Sequence, residues 1–370
     1  MRIGIFVACA GRQDGGPETY ELGLVRSLAK MDQGNEYRIF CLSQAAADCF
    51  CVDVANFRFQ ILWPRHRAIS VPVSLPFLLQ REPVDILHAT MYPPFFSPVE
   101  YVFTMHDVSP LVYPDFYPTN MRRSLKFLIS RGLRKAKLIV CPSEHARETT
   151  AEHFGVDPDR ISVVHHGIES RFRPLPAEEA PDTVRERYQI RAPYALYVGK
   201  LMLRKNIVRM LEAFDLLRRD APELTLVLCG RRFWDTHFLD EAIVRLRLQD
   251  RVVELGYVPD ADLPLLYAGA EMALYPTLFE GFGFPVLEAM ACGTPVVTSN
   301  VSCLPEIAGD AALLVDPQKV EEIAAAMRRL HADAALRRTL REKGLARAAL
   351  FTWQRAAEQM VEVYRRASAL

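Results

Sequence analysis

The sequence predicts an α/β protein made of two doubly wound parallel-sheet domains in tandem, and three observations carry that prediction. Its 370 residues exceed what one ordinary core organises and suit two domains of middling size. Short β-branched or apolar runs alternate with amphipathic helical patterns, the bookkeeping of βαβ units. The alternation lapses over "IESRFRPLPAEEAPDTVRERYQIRAP", residues 168–193, where four prolines and many charges mark an interdomain boundary, and then it restarts.

Taken in order, "RIGIFVA" reads as a first buried strand rather than a minimal signal peptide. The apolar stretch is short, the basic region is Arg2 alone, and a glycine loop with a helical pattern over 17–31 follows at once. "EYRIFCL", "DILHA", "EYVFTMHD" and "KLIVCPS" read as the next strands. Past the boundary come "YALYVGK" (strand), "NIVRMLEAFDLLRRD" (helix), the strands "LTLVLCG", "RVVELGYV" and "MALYPT", the helix "PVLEAMACG", and the strands "PVVTSN" and "AALLVDP". The closing "FTWQRAAEQMVEVYRRA" is an amphipathic helix with Trp353, Met360, Val361 and Tyr364 on one side, a stripe to bury against one domain. The expected domains are 1–170, joined by the helix 353–370, and 171–352.

Half the residues are apolar and 24% are charged, the balance of a soluble globular chain. The 45 basic and 45 acidic side chains cancel, so no whole-chain charge argues for nucleic acid as a partner. Of eight cysteines only Cys49 and Cys51 lie close together, without a C-x-x-C or a following His cluster. Free, mostly buried thiols in a reducing, cytoplasmic compartment follow. No apolar run reaches 18 residues, so no membrane span is expected.

The stretch "EGFGFPVLEAMACGTPVV", 280–297, carries Glu280 and Glu288 eight positions apart. Gly281, Gly283 and Pro285 argue against one continuous helix, because glycine is a poor helix former and proline suits chiefly the first helical position. Glu280 is therefore expected in a loop and the helix near Pro285, with Glu288 in its first turn or just beyond. Cys292 ends the helix, since Gly293 has the identity of a C-terminal cap and Pro295 cannot continue. Its N-terminus suits a phosphate or carboxylate. Two acids beside an anion site are compatible if the ligand offers phosphates to the amides and hydroxyls to the carboxylates. The plainer alternative is that Glu288 complements the helix dipole and Glu280 is a solvated loop acid.

Gly199, Lys200, Arg204, Lys205 and Asn206 follow the strand "YALYVG". Three cations opening a helix oppose the dipole rule, and an anionic ligand resolves the conflict. Near the start, Gly15 and Gly16 let a ligand approach the backbone and Pro17 can open a helix, but the segment is neither G-x-G-x-x-G nor a Walker loop. His106 and Asp107 close the strand "YVFTMHD", where a His at a carboxyl end faces a ligand crevice more often than the core.

On the Gly-Gly loop at Gly15 and Gly16, "HD" at His106 and Asp107, "VGKLMLRKN" at 198–206, the E-x7-E pair Glu280 and Glu288, the downstream "CGTPVV", and "PEIAGDAALLVDP" at 305–317, the chain resembles the retaining glycosyltransferases of the GT-B fold, in particular the GT4 family. The resemblance covers nearly the whole length. It implies two Rossmann-like domains facing a central cleft, with a donor site in the C-terminal domain. Glu280 would contact donor sugar hydroxyls, with Phe282 and Gly283 lining the sugar. Val286 and Leu287 amides would meet the diphosphate and Glu288 the ribose. Arg204 and Lys205 would neutralise the departing diphosphate, Gly16 would add a backbone donor, His106 would touch the sugar near the reaction centre, and the base would lie near Gly230 and 252–257. Lys200 stands where the family often has Arg, which keeps the charge and loses the bidentate fork.

The reaction so implied is transfer of a hexose with retention from a nucleotide-diphosphate sugar, GDP-mannose favoured and a UDP-sugar possible, to a glycan or lipid-linked acceptor. It needs leaving-group charge stabilisation rather than a paired acid and base. No cofactor and no metal are expected. Asp157 and Asp159, and Asp260 and Asp262, lie in turn contexts where Asp is a natural cap, and adjacent His165 and His166 would point to opposite faces of a strand. The segment 120–140 carries Arg122, Arg123, Lys126, Arg131, Arg134, Lys135 and Lys137 with no acid, interleaved with apolar residues. Such a helix suits peripheral contact with an anionic membrane or a lipid-linked acceptor, and equally a solvated charged face. Competing functions are a sugar-nucleotide epimerase of the same fold and a non-catalytic nucleotide-sugar binding protein.

Overall fold

A computed structural model describes the whole chain except residues 14, 65–68, 176–185, 191–192 and 234–235, with only the backbone of residue 121. Part of the proline-rich boundary segment thus lies outside the described residues. The chain divides into two compact units, Met1–Gly167 with Phe351–Leu370, and Ile168–Leu350.

The first unit holds a parallel sheet of β1 (Arg2–Phe6), β2 (Glu36–Cys41), β3 (Phe57–Ile61), β4 (Ile86–Ala89), β5 (Tyr101–Thr104), β6 (Leu138–Cys141) and β7 (Ile161–Val163). Their order is β3-β2-β1-β4-β5-β6-β7. Central strands such as β4, β5 and β6 are buried at every position, as continuous apolar runs covered on both faces must be. β3 and β7, which the sequence reading passes over, are the two edges. β3 is half-exposed along most of its length and β7 is three residues long, so neither carries a sustained apolar run.

The second unit repeats the plan with β8 (Tyr194–Val198), β9 (Thr225–Cys229), β10 (Val252–Gly256), β11 (Met272–Tyr275), β12 (Val296–Ser299) and β13 (Leu313–Val315), all parallel, in the order β10-β9-β8-β11-β12-β13. Each sheet reverses its winding once, between β1 and β4 and between β8 and β11. Ligands of open α/β sheets bind outside the strand carboxyl ends at such points.

The final helix, Trp353–Ala369, belongs to the first unit and buries Trp353, Met360, Val361 and Tyr364 there. Its seat requires two glycines. A Cβ at Gly23 would stand 2.0 Å from the Trp353 ring, and one at Gly167 would stand 2.0 Å from the Trp353 amide nitrogen. No helix among the described residues is long and apolar enough to cross a membrane.

Candidate active site

At the reversal point of the second sheet, the loop after β8 begins where two strand ends touch. Gly199 (φ +149°) lies so close to Gly230 (φ +148°) that a Cβ on Gly230 would come within 1.9 Å of the Gly199 carbonyl oxygen. The chain then makes a 3₁₀ turn, Leu203–Lys205, before the helix Ile207–Leu217. Asn206 sits between them in the left-handed region (φ +60°), and its amide donates to the carbonyls of Pro276 (2.9 Å) and Pro317 (2.6 Å). With the Leu278 amide donating to the Arg204 carbonyl at 3.0 Å, this ties the turn to the loop after β11.

Three charges consequently converge. Lys205 Nζ donates to Glu280 Oε1 at 2.6 Å and to the Tyr275 hydroxyl at 2.6 Å, and Arg204 Nη1 lies 3.3 Å from the same carboxylate oxygen. Arg204 also donates to the Phe279 carbonyl. Lys205 and Glu280 are only 8% and 7% exposed, so both charges are held away from bulk water. Burial raises the Glu280 carboxyl, but Arg204 and then Lys205 outweigh it, leaving the group below its ordinary range and ionised. Ser302 (φ +62°) fixes the Glu280 backbone from both sides, its Oγ accepting the Glu280 amide (2.9 Å) and donating to the Glu280 carbonyl (2.5 Å).

Glu288 occupies a different environment. Its helix is Phe284–Ala291, so it starts one residue before the expected Pro285 and Glu288 is its fifth residue, past the first turn. The helix stops in a Schellman arrangement: Gly293 (φ +79°) donates to the Met290 carbonyl and Thr294 to that of Ala289. The Glu288 carboxylate accepts from the Tyr267 hydroxyl at 2.8 Å, and burial pushes it up to about 7. At the helix start, Gly283 is left-handed (φ +92°), the Val286 amide donates to the Gly283 carbonyl at 3.0 Å, and the rings of Phe282 and Phe284 meet edge to face. Leu287 and Val286 are fully buried. Of the three cations singled out in the sequence, Lys200 goes elsewhere, its ammonium lying 4.9 Å above the Phe233 ring.

The first unit treats its corresponding loop differently. The amides of Ala8, Cys9 and Ala10, at the end of β1, all donate at 2.8 Å to the carboxylate of Glu21, and the Gly11 amide donates to Glu18 at 2.7 Å. Thr90 Oγ1 also reaches Glu21, at 2.6 Å. Burial lifts Glu21 to about 7 although these donors favour its charged form. Gly15 (φ +76°) precedes the helix Gly16–Met31, with Pro17 in its first turn, and a Cβ on Gly15 would meet nothing within 4 Å. His106 lies two residues past β5, bonded to the Thr90 carbonyl at 2.9 Å and packed edge-on against Tyr20 at 5.1 Å. Burial lowers its pKa and keeps the ring neutral near pH 7.

The expected orientation of His165 and His166 needs correction. β7 ends at Val163, so neither lies on a strand. They part nonetheless, His166 packing on Tyr20 and Trp353 and His165 on Phe351. Asp157 caps its turn by accepting the Asp159 amide at 3.0 Å, while Asp260 pairs with Arg171 and Asp262 with Arg187 and Tyr188. Tyr275, Tyr267, Ser302 and Glu21 escaped the sequence reading. Each stands on a helix, strand or loop whose local pattern gives no sign of its polar partner.

The family described as "Glycosyltransferase Family 4" matches residues 14–172, and that described as "Glycosyl transferases group 1" matches 182–347. The O-antigen chain mannosyltransferase B of Escherichia coli is 38% identical over 267 residues, 71% of this chain and 70% of that protein. The chain belongs to glycosyltransferase family 4. This glycosyltransferase shares its fold with sucrose-phosphate synthase from Thermosynechococcus elongatus (TM-score 0.78, 24% identity, 100% of this chain and 99% of that one). HepE of Anabaena, solved with UDP-glucose, is similar at TM-score 0.80 and 18% identity over 99% of this chain and 100% of the other. The fold class is GT-B.

Proposed function

We propose that this glycosyltransferase moves mannose from GDP-mannose, with retention and without a metal, to a hydroxyl of a glycan or lipid-linked acceptor in polysaccharide synthesis. The observation that carries the reading is the Arg204–Lys205–Glu280 cluster, with Lys205 and Glu280 buried, at the reversal point of the second sheet. Two cations there can neutralise a departing diphosphate, and in a site shielded from water such stabilisation acts at full strength. Glu280, held ionised, offers an acceptor to sugar hydroxyls, and Glu288 beside Tyr267 offers one to the ribose. Gly230 is packed so closely on Gly199 that only glycine fits there, and its place near the base rests on the resemblance.

The mannosyl group is favoured by the likeness to an O-antigen chain mannosyltransferase, and a nucleotide sugar by the likeness to HepE, whose structure contains UDP-glucose. Roles for His106, Gly15 and Gly16 rest on the resemblance. The buried, free thiols support a reducing, cytoplasmic setting.

The test is a donor panel of GDP-mannose, UDP-glucose and UDP-galactose with chelator present, read by nucleotide release with and without oligosaccharide acceptor. Acceptor-stimulated release of GDP from GDP-mannose supports the reading. Release only from UDP-sugars, or activity abolished by chelation and restored by one divalent ion, overturns the donor or the metal part. Epimerised donor with no nucleotide released would point to the epimerase instead.

A further inference from the structure

The first unit carries an apolar and basic surface that holds none of the residues placed in the candidate site. Of fourteen large apolar side chains exposed among the described residues, seven fall between residues 63 and 127: Trp63, Ile69, Val73, Phe77, Phe95, Phe96 and Phe127. Phe127 is 63% exposed and stands on the helix Thr119–Lys135, which contains six cations and no acid. Arg123 at i−4 and Arg134 at i+7 share its face, with Lys126 adjacent, and all three are exposed. Two other rings lie under guanidinium groups, Phe95 under Arg131 at 4.5 Å and Phe77 under Arg81 at 4.7 Å. The Arg131 side chain also donates to the Phe95 carbonyl at 2.9 Å, tying the helix to that loop. Beside them lies an apolar cavity of about 320 Å³, walled by Val71, Pro93, Phe95, Leu125 and Leu128 among others.

A face that only kept the chain in solution would need cations and no rings. Exposed aromatics concentrated in one region and interleaved with unopposed positive charge suit the headgroup layer of a bilayer, where rings enter the acyl boundary and cations meet lipid phosphates. We propose that the first unit docks on an anionic phospholipid bilayer through this surface, with Phe127 inserted and Arg123, Lys126 and Arg134 on the headgroups. Charge complementarity selects the occupant. A chain of zero net charge has here a helix of six cations and no acid, and each basic residue near an anionic leaflet adds to the attraction. The apolar cavity adds surface that docking removes from water.

The experiment is flotation of the full chain with vesicles of phosphatidylcholine alone or with phosphatidylglycerol, joined to fluorescence of a Phe127→Trp variant in a Trp63→Phe background, read as the difference from that background alone because two other tryptophans remain. The expected results are binding to the anionic vesicles, several-fold weakening at high salt, and loss of about tenfold or more in affinity for Arg123→Glu/Lys126→Glu and for Phe127→Ser. A blue shift on binding and quenching by brominated lipid would place residue 127 in the acyl boundary. Absence of binding to anionic vesicles, or binding of both variants as strong as wild type, overturns the proposal. So does binding with residue 127 left unquenched, which is adsorption without insertion. GDP release from GDP-mannose with a soluble acceptor stays unchanged in these variants, so failure here and failure of the proposed transfer are read separately.

Discussion

The two sheets reverse at equivalent points, yet the chain finishes those points in opposite ways. In the first unit the amides after β1 are saturated by a carboxylate of the following helix, Glu21, with Glu18 taking the next amide. In the second, the turn after β8 presents Arg204 and Lys205 and balances them with Glu280 from the loop after β11. A cradle filled from within is a structural joint. Two cations sharing one carboxylate oxygen form a positively charged turn of the kind that suits an anion. One topology thus gives an end closed by a carboxylate in one unit and a charge-dense end in the other.

The strongest way to break this contrast is to remove Lys205. Lys205→Ala leaves Glu280 buried with Arg204 alone and is expected to cost about 3–5 kcal/mol of stability and about 10²–10³ in turnover, measured by chemical denaturation and initial rates. Glu21→Ala should cost comparable stability, about 3 kcal/mol, since three buried amides lose their acceptor, while turnover per folded molecule stays within about twofold. Comparable damage to turnover in both variants would erase the distinction between joint and site.

A finer contrast lies inside the E-x7-E pair. Glu288 sits at about 7 in the folded chain against an ordinary 4.5, so its contribution to stability is complete below pH 4.5 and lost as pH rises through 7. Glu288→Gln should therefore gain about 1–3 kcal/mol on wild type at pH 8.5 and nothing at pH 5, even as donor binding weakens. Glu280 is displaced downward, so its contribution exists above pH 4.5 and fades as pH falls through its lower folded value. Glu280→Gln should destabilise at pH 8.5, the opposite sign, in the same denaturation series. The smallest effect is expected from Ser302→Ala. Loss of its grip on the Glu280 backbone should lower kcat about tenfold and leave the melting temperature within a few degrees.

Much of the architecture was legible because buried parallel strands write continuous apolar runs. All six strands of the second sheet stand out in the sequence, and only the edge strands β3 and β7 of the first do not. The glycines and proline between Glu280 and Glu288 correctly separate a loop acid from a helical one. Their surroundings were not legible. That Lys205 turns inward onto Glu280 depends on Asn206 reaching Pro276 and Pro317, contacts across 70 and 111 positions that no local pattern encodes. Glu21 looked like an ordinary polar position of an amphipathic helix, and only the fold brings it under the amides of β1's loop. Lys200, grouped by sequence with Arg204 and Lys205, rests on Phe233 instead.

The central claim is that capacity for a nucleotide diphosphate resides in the second unit's cation turn. Calorimetric titration of GDP into wild type, Lys205→Ala and Glu21→Gln tests it most directly, each variant first shown to be folded. The account predicts that Lys205→Ala weakens GDP at least tenfold, and that Glu21→Gln, though less stable, binds as wild type does. Equal affinity in wild type and Lys205→Ala, or a loss confined to Glu21→Gln, would contradict it.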